Sequence, residues 1–225
     1  MSTLHYIFDP LCGWCYAATP LIDGALGVPG VKLALHAGGM LIGPSRRTIT
    51  PEWRDFMVAH DQRIAQLSGQ PFGPAYFDGL LCECDVVLDS EAPSTAILAA
   101  ECLSGRGMEM LRAVQSAYFV DGRRIFEMAT LRRLAGDLGF DPMQFEAVSA
   151  RLLWMPTKRH IRDSRQLLER VDGLGFPTLI IESVEGVLSL VDLGIWLGRP
   201  AAFRCALVDR LSATPDPDTS CNGIV

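Results

Sequence analysis

Residues with strand character gather at the two ends of this 225-residue chain, and the stretch of about 110 residues between them reads as one helix after another. That order constrains the fold more than any other feature, because strands far apart in sequence must meet in one sheet to satisfy their backbone groups. "TLHYIFD" (3–9) mixes aromatic and β-branched residues and stops at Asp9-Pro10, which predicts a buried strand ending in a tight connection. A helix is expected from residue 13, with a kink at Pro20, where a backbone donor is lost. "GVKLALHAGGM" (30–40) reads as a second strand, and a strand-helix-strand unit makes its two strands parallel.

Thr50-Pro51-Glu52 has the capping residue and first-turn proline of a helix start. Helical stretches are expected over 51–68, 75–81, 90–104, 107–119, 128–138, 142–153 and 157–172, with no strand among them. "FPTLIIES" (176–183) and "VLSLV" (187–191), joined by Val184-Glu185-Gly186, then read as a hairpin, and a last helix is expected over 192–211. The fold class is therefore α/β. Residues 1–47 and 158–211 make one sheet-bearing domain, 48–157 a helical insertion, and 212–225 a flexible tail rich in Pro, Asp, Ser and Thr.

Hydrophobic content of 49%, charged content of 20% and a mean hydropathy of +0.22 supply ample material for a core. A net charge of −6 and a pI near 5.2 do not provide the concentrated basic face that nucleic acid or an anionic membrane requires. Small molecules or other proteins are the expected partners. With no apolar run of the roughly 18–20 residues that span a bilayer and no basic n-region before an apolar one, the expected compartment is the cytoplasm. Seven cysteines, an odd number in a chain of ordinary size, do not resemble a secreted disulfide framework. Cys102 and Cys205 fall on apolar helical faces and read as small buried hydrophobes, while Cys221 lies in the tail.

Cys12-Gly13-Trp14-Cys15 stands where the first strand gives way to the first helix. The pair has three readings: a redox dithiol, half of a zinc site, or two inert neighbours. A thiolate at the first turn of a helix is stabilised by unpaired N–H groups and by the positive end of the helix dipole. Two intervening residues place Cys15 one turn on, within disulfide reach, so that Cys12 attacks and Cys15 resolves. A structural zinc site wants a second such pair, yet Cys82-Glu83-Cys84 has one intervening residue rather than two to four. Those two cysteines read as packed thiols or as a second redox centre; the short spacing strains a disulfide. Asp9, three residues before Cys12, ends the strand by accepting a backbone hydrogen bond or relays a proton to Cys15. His5 and His36, in predicted strands, read as structural histidines.

"FDPLCGWCY", "SAYFVDGRRIFEMATLRRLAGDLGFD" (116–141) and "GFPTLIIE" (175–182), in that order along nearly the whole chain, resemble the DsbA-like, FrnE-like group of thioredoxin-fold disulfide oxidoreductases and isomerases. The resemblance implies a thioredoxin fold interrupted by a large all-helical insertion. It also implies thiol-disulfide exchange at Cys12 and Cys15, and a cis Phe176–Pro177 bond facing them. Gly13, Trp14, Phe176, Pro177 and Thr178 are then the motif and substrate contacts. No metal and no resident cofactor are implied; the substrate is a disulfide-containing protein or glutathione, the latter as a co-substrate. Gly13-Trp14 departs from the Pro-His of strongly oxidising members and from the Gly-Pro of thioredoxin, so the potential falls anywhere between about −120 and −270 mV. Two other families of function share the scaffold. Kappa-class glutathione transferases and hydroxychromene-carboxylate isomerases carry a serine where Cys12 stands, and a non-catalytic metal-binding or adaptor protein would use the thiols as ligands.

Overall fold

β1 (Ser2–Phe8) lies inside a four-stranded sheet in the order β2–β1–β5–β6, flanked by β2 (Val31–Ala37) and β5 (Thr178–Glu182), with β6 (Leu188–Val191) at one edge. The computed structural model describes residues 1–84 and 86–212. β1 pairs in parallel with β2 from Ser2↔Val31 to Phe8↔Ala37 and antiparallel with β5 from Thr3↔Glu182 to Ile7↔Thr178. Both ends of the chain thus meet in one sheet, as their strand character requires. Consecutive β1 residues Tyr6, Ile7 and Phe8 are all fully buried, because helices cover both faces of the sheet.

α1 (Gly13–Leu26) links β1 to β2 and runs through Pro20 without a break. The carbonyl that Pro20 cannot serve is that of Tyr16, four residues back, and Gln70 Nε2 donates to it at 3.0 Å. A residue of the insertion therefore repairs the helix that carries the cysteines. The hairpin between β5 and β6 turns where expected, with Gly186 N donating to the Ser183 carbonyl.

The insertion holds α2 (Pro51–Ser68), α3 (Glu91–Ser104), α4 (Gly107–Phe119), α5 (Met128–Asp137) and α6 (Pro142–Leu152). α7 (Met155–Arg170) packs against both α3 and β2, and α8 (Pro200–Ser212) closes over α1. Thr50 caps α2 by accepting from Trp53 N at 3.2 Å, as its sequence position predicts. Tyr16 of α1 stacks on Phe119 of α4 with ring centroids 4.9 Å apart, so insertion and sheet share one core. Each such buried aromatic side chain contributes about 1.5–3 kcal/mol.

Several expectations need correction. The insertion is not free of strands: β3 (Arg47–Thr48) and β4 (Val87–Leu88) form an antiparallel ribbon, and two-residue strands are too short to show alternation in sequence. The helix expected at 75–81 is a π turn, Ala75–Gly79, followed by a 3₁₀ turn, Leu80–Cys82. The helix expected at 192–211 breaks into a 3₁₀ turn, Gly194–Trp196, and α8. Asp192 Oδ1 accepts from Gly194 N at 2.9 Å and competes with helical bonding, while Pro200 suits only a helix start. Cys102 and Cys205 are exposed rather than buried. α8 buries Phe203 and Leu207, and Cys205 midway between them points to the other side. Cys82 and Cys84 are exposed as well, so packing does not account for them. The tail beyond Ser212, with Cys221, lies outside the described residues.

The strand histidines are satisfied as expected. His5 Nε2 meets Glu182 Oε2 at 2.8 Å and its Nδ1 meets His36 Nε2 at 2.9 Å. Burial and the neighbouring His5 and His160 rings push His36 down to about 4. An unfolded chain binds a proton on His36 from about pH 6.5 downward, whereas the folded chain does not until about 4, so stability falls with pH across that window. The contribution reaches about 3 kcal/mol, and denaturation of the wild type and His36→Asn between about pH 7 and 4.5 should show a flatter slope in the variant.

Candidate active site

Asp9 closes β1 and organises the turn into α1. Its buried carboxylate accepts from Leu11 N at 2.9 Å, from Met40 N at 2.5 Å and from the Ser90 hydroxyl at 2.9 Å, tying the strand end to the loop after β2 and to the start of α3. Burial pushes the Asp9 carboxyl up against the lowering effect of these three donors. The chain then turns, and Cys12 becomes the N-cap residue of α1, with extended backbone (φ −88, ψ 116). Its sulfur takes the place usually held by a Ser or Asp oxygen and accepts from Cys15 N at 3.4 Å. A negative sulfur there receives a helical N–H and the positive end of the helix dipole.

Cys12 is 6% exposed and Cys15 is fully buried, so only the first is open to an incoming disulfide. Burial pushes the Cys15 thiol well above its ordinary range and the Cys12 sulfur adds to this, while Asp9 N, which donates to Cys15 Sγ at 3.4 Å, pulls the other way. Behind the pair, the hydroxyl of buried Tyr6 donates to the Cys15 carbonyl at 3.1 Å.

The Phe176–Pro177 peptide bond is cis, and it directs the Phe176 carbonyl to Cys12 Sγ at 3.6 Å. Thr178 begins β5, and its hydroxyl donates to the Gly175 carbonyl at 2.7 Å, bracing the turn before the proline. An apolar cleft of about 460 Å³ opens beside this peptide, walled by Trp14, Leu174, Phe176, Pro177, Leu190 and Leu193. Leu174 is wholly exposed at its rim. The structure therefore brings together Asp9, Cys12, Cys15, Trp14, Phe176, Pro177 and Thr178 from chain segments more than 150 residues apart.

Four contributors, His60, Asp61, Tyr76 and Gly38, have no motif in the sequence. Gly13 lies directly under α2: a Cβ there would stand 2.8 Å from Asp61 Oδ1 and 2.9 Å from Ile64 Cδ1. Trp14 Nε1 donates to His60 Nε2 at 3.1 Å, which fixes the imidazole tautomer so that Nδ1–H donates to Asp61 Oδ1 at 2.9 Å. Tyr76 donates to the other Asp61 oxygen at 2.7 Å. Asp61 is fully buried, and burial raises its carboxyl despite these two donors. The cleft-facing indole of Trp14 is thus held by a chain of hydrogen bonds that starts inside the insertion. The fourth contributor is Gly38, against which the Phe176 ring packs so closely that a Cβ would fall within the ring.

A family model described as a DSBA-like thioredoxin domain matches residues 3–198. The chain belongs to the DSBA-like thioredoxin family. It is an enzyme of the disulfide oxidoreductase/isomerase class, with a thioredoxin fold carrying a helical insertion. The cytosolic disulfide reductase DsbM from Pseudomonas aeruginosa is 44% identical to it, over 93% of this chain and 98% of that one, with a TM-score of 0.84. The same protein solved with GSH gives 43% identity, the same two coverages and a TM-score of 0.83. A 2-hydroxychromene-2-carboxylate isomerase, at 17% identity and a TM-score of 0.57 over 94% of this chain and 100% of its own, shares the fold alone. Among curated proteins, no sequence matches this family member. Among the described residues, no group of three or more His, Cys, Asp or Glu side chains is placed to hold a metal ion, and no helix is long and apolar enough to cross a membrane.

Proposed function

We propose that this protein is a cytoplasmic disulfide reductase whose Cys12 thiolate attacks the substrate disulfide. One substrate sulfur bonds to Cys12 and the other leaves as a thiol. Cys15 then gives up its proton, attacks the Cys12 sulfur and releases the second substrate thiol, leaving a Cys12–Cys15 disulfide and two electrons on the product. Two molecules of glutathione reverse the change, each giving one thiol hydrogen, and become glutathione disulfide. The observation that carries the reading is the asymmetry of the pair: one sulfur at the helix N-terminus and reachable, the other buried beneath it.

The direction rests on the likeness to a cytosolic disulfide reductase, and glutathione on the GSH complex of that relative. The apolar wall of Trp14, Leu174 and Phe176 suits a substrate that lies along the cleft in extended form beside the start of β5. A cysteine where kappa-class transferases keep a serine, with a second cysteine one turn on, favours exchange over glutathione addition. Equilibration with glutathione redox buffers tests the direction. A Cys12–Cys15 potential close to that of the glutathione pool, about −220 to −260 mV, is expected, low enough to reduce substrate disulfides and still open to re-reduction by glutathione; one near the −120 mV of strong oxidants would reverse the assignment.

A further inference from the structure

Free cysteines mostly pack inside proteins as small hydrophobes. Cys82 and Cys84 are both free and both exposed, and neither fills a core. Backbone geometry holds them side by side. The 3₁₀ turn Leu80–Cys82 ends at Glu83, whose φ of −79° and ψ of 92° lie near those of an inverse γ-turn. Cys84 N donates to the Cys82 carbonyl at 3.1 Å, the i to i+2 bond that defines such a turn. Two residues span at most about 7 Å even when extended. The turn shortens that span into the window of about 4.4–6.8 Å between Cα atoms that a disulfide bridges. The short spacing, which counts against a disulfide in an unfolded chain, is here preset by the fold.

The intervening side chain is held by a charged partner. Arg124 Nε donates to Glu83 Oε2 at 2.8 Å, and Arg124 Nη1 donates to Glu127 at 3.2 Å, anchoring the turn to the segment between α4 and α5. The chemistry that fits is one that needs two sulfurs and nothing more. A soft metal ion would want further thiolate or imidazole ligands, and among the described residues no third His, Cys, Asp or Glu completes such a group.

We infer that Cys82 and Cys84 form a second, solvent-facing dithiol that closes to a disulfide by exchange with a low-molecular-weight disulfide. One cysteine, as thiolate, attacks glutathione disulfide; a mixed disulfide forms and one glutathione leaves. The other cysteine, as thiolate, attacks the protein sulfur of that mixed disulfide, the Cys82–Cys84 bond forms, and the second glutathione leaves. Two electrons and two protons pass from the dithiol to the pair of glutathiones, and holding the second thiol beside the first favours ring closure over a second external attack.

The test uses the full chain carrying Cys12→Ser and Cys15→Ser, so that its outcome does not depend on the first centre. After reduction, the protein is incubated with excess glutathione disulfide, quenched with acid and analysed by peptide mass spectrometry. The expected product is a Cys82–Cys84 link within one chain, with two glutathiones released per link and loss of both free thiols. In Cys82→Ser, one glutathione is expected to remain on Cys84. The wild-type chain treated in the same way should form the same link, which guards against misfolding of the double variant. Glutathione retained on both residues, two unreacted thiols, or a bridge between two chains would each overturn the inference.

Discussion

Replacing Cys12 by serine is expected to lower turnover of a small disulfide by about three orders of magnitude or more, because the attacking sulfur is lost and no other group can take its place at the head of α1. The measurement is best made with Cys82→Ser and Cys84→Ser already present, so that a second dithiol contributes nothing. Cys15→Ser should behave differently. Its Cys12 still attacks, one substrate thiol is released, and the reaction stops at the mixed disulfide. The contrast stems from burial: Cys15 has no exposed surface with which to meet a substrate, and its raised thiol pKa keeps it protonated until the mixed disulfide is in place. Equal release of the first substrate thiol by the two variants, read as a single-turnover burst, would contradict that division of labour.

Gly38→Ala is the second large effect. The Gly38 backbone is fixed on both sides, its N–H donating to the Phe8 carbonyl at 2.7 Å and its carbonyl accepting from Arg165 Nε at 2.9 Å. It cannot move away, so a methyl group there must drive out the Phe176 ring and with it the carbonyl that faces Cys12. Small misplacements of a reacting geometry cost up to about a hundredfold in rate, whereas overpacking of this kind costs about 1–3 kcal/mol in stability. We expect kcat/KM to fall about ten- to a hundredfold while the chain stays folded. Adding Phe176→Leu, which makes room, should restore part of the loss. An unchanged rate in Gly38→Ala would mean that the position of Phe176 does not matter to exchange.

Much of this site was legible in the sequence because two short motifs carry it. Cys12-Gly13-Trp14-Cys15 stands at a strand-to-helix junction and Phe176-Pro177-Thr178 opens a strand; the resemblance to a thioredoxin fold implies that the two meet, and the antiparallel pairing of β1 with β5 brings them to the same end of the sheet. The supports of those motifs are another matter. His60 and Asp61 reach Trp14 and Gly13 only because α2 docks across α1, a contact that no local pattern encodes. One signal was available: Asp61 shares the buried stripe of α2 with Ile64 and Ser68, and an acid on such a stripe asks for a partner. Gly38 gave no signal, since its role is to leave space for a ring 138 positions away, as its number and that of Phe176 show. The exposed Cys102 and Cys205 show the limit of reading apolar neighbours as burial: each sits on an apolar helix, but off the face that packs.

The central claim, that Cys12 alone makes the first attack and Cys15 resolves it, is tested most directly by trapping. The Cys15→Ser chain incubated with glutathione disulfide should carry one stable glutathione on Cys12, located by peptide mass spectrometry, and the wild type under the same conditions should carry a Cys12–Cys15 disulfide with no adduct on either of those two residues. A Cys15→Ser chain with an unmodified Cys12 thiol, or a Cys12→Ser chain that accumulates the adduct on Cys15 at a similar rate, would contradict the account.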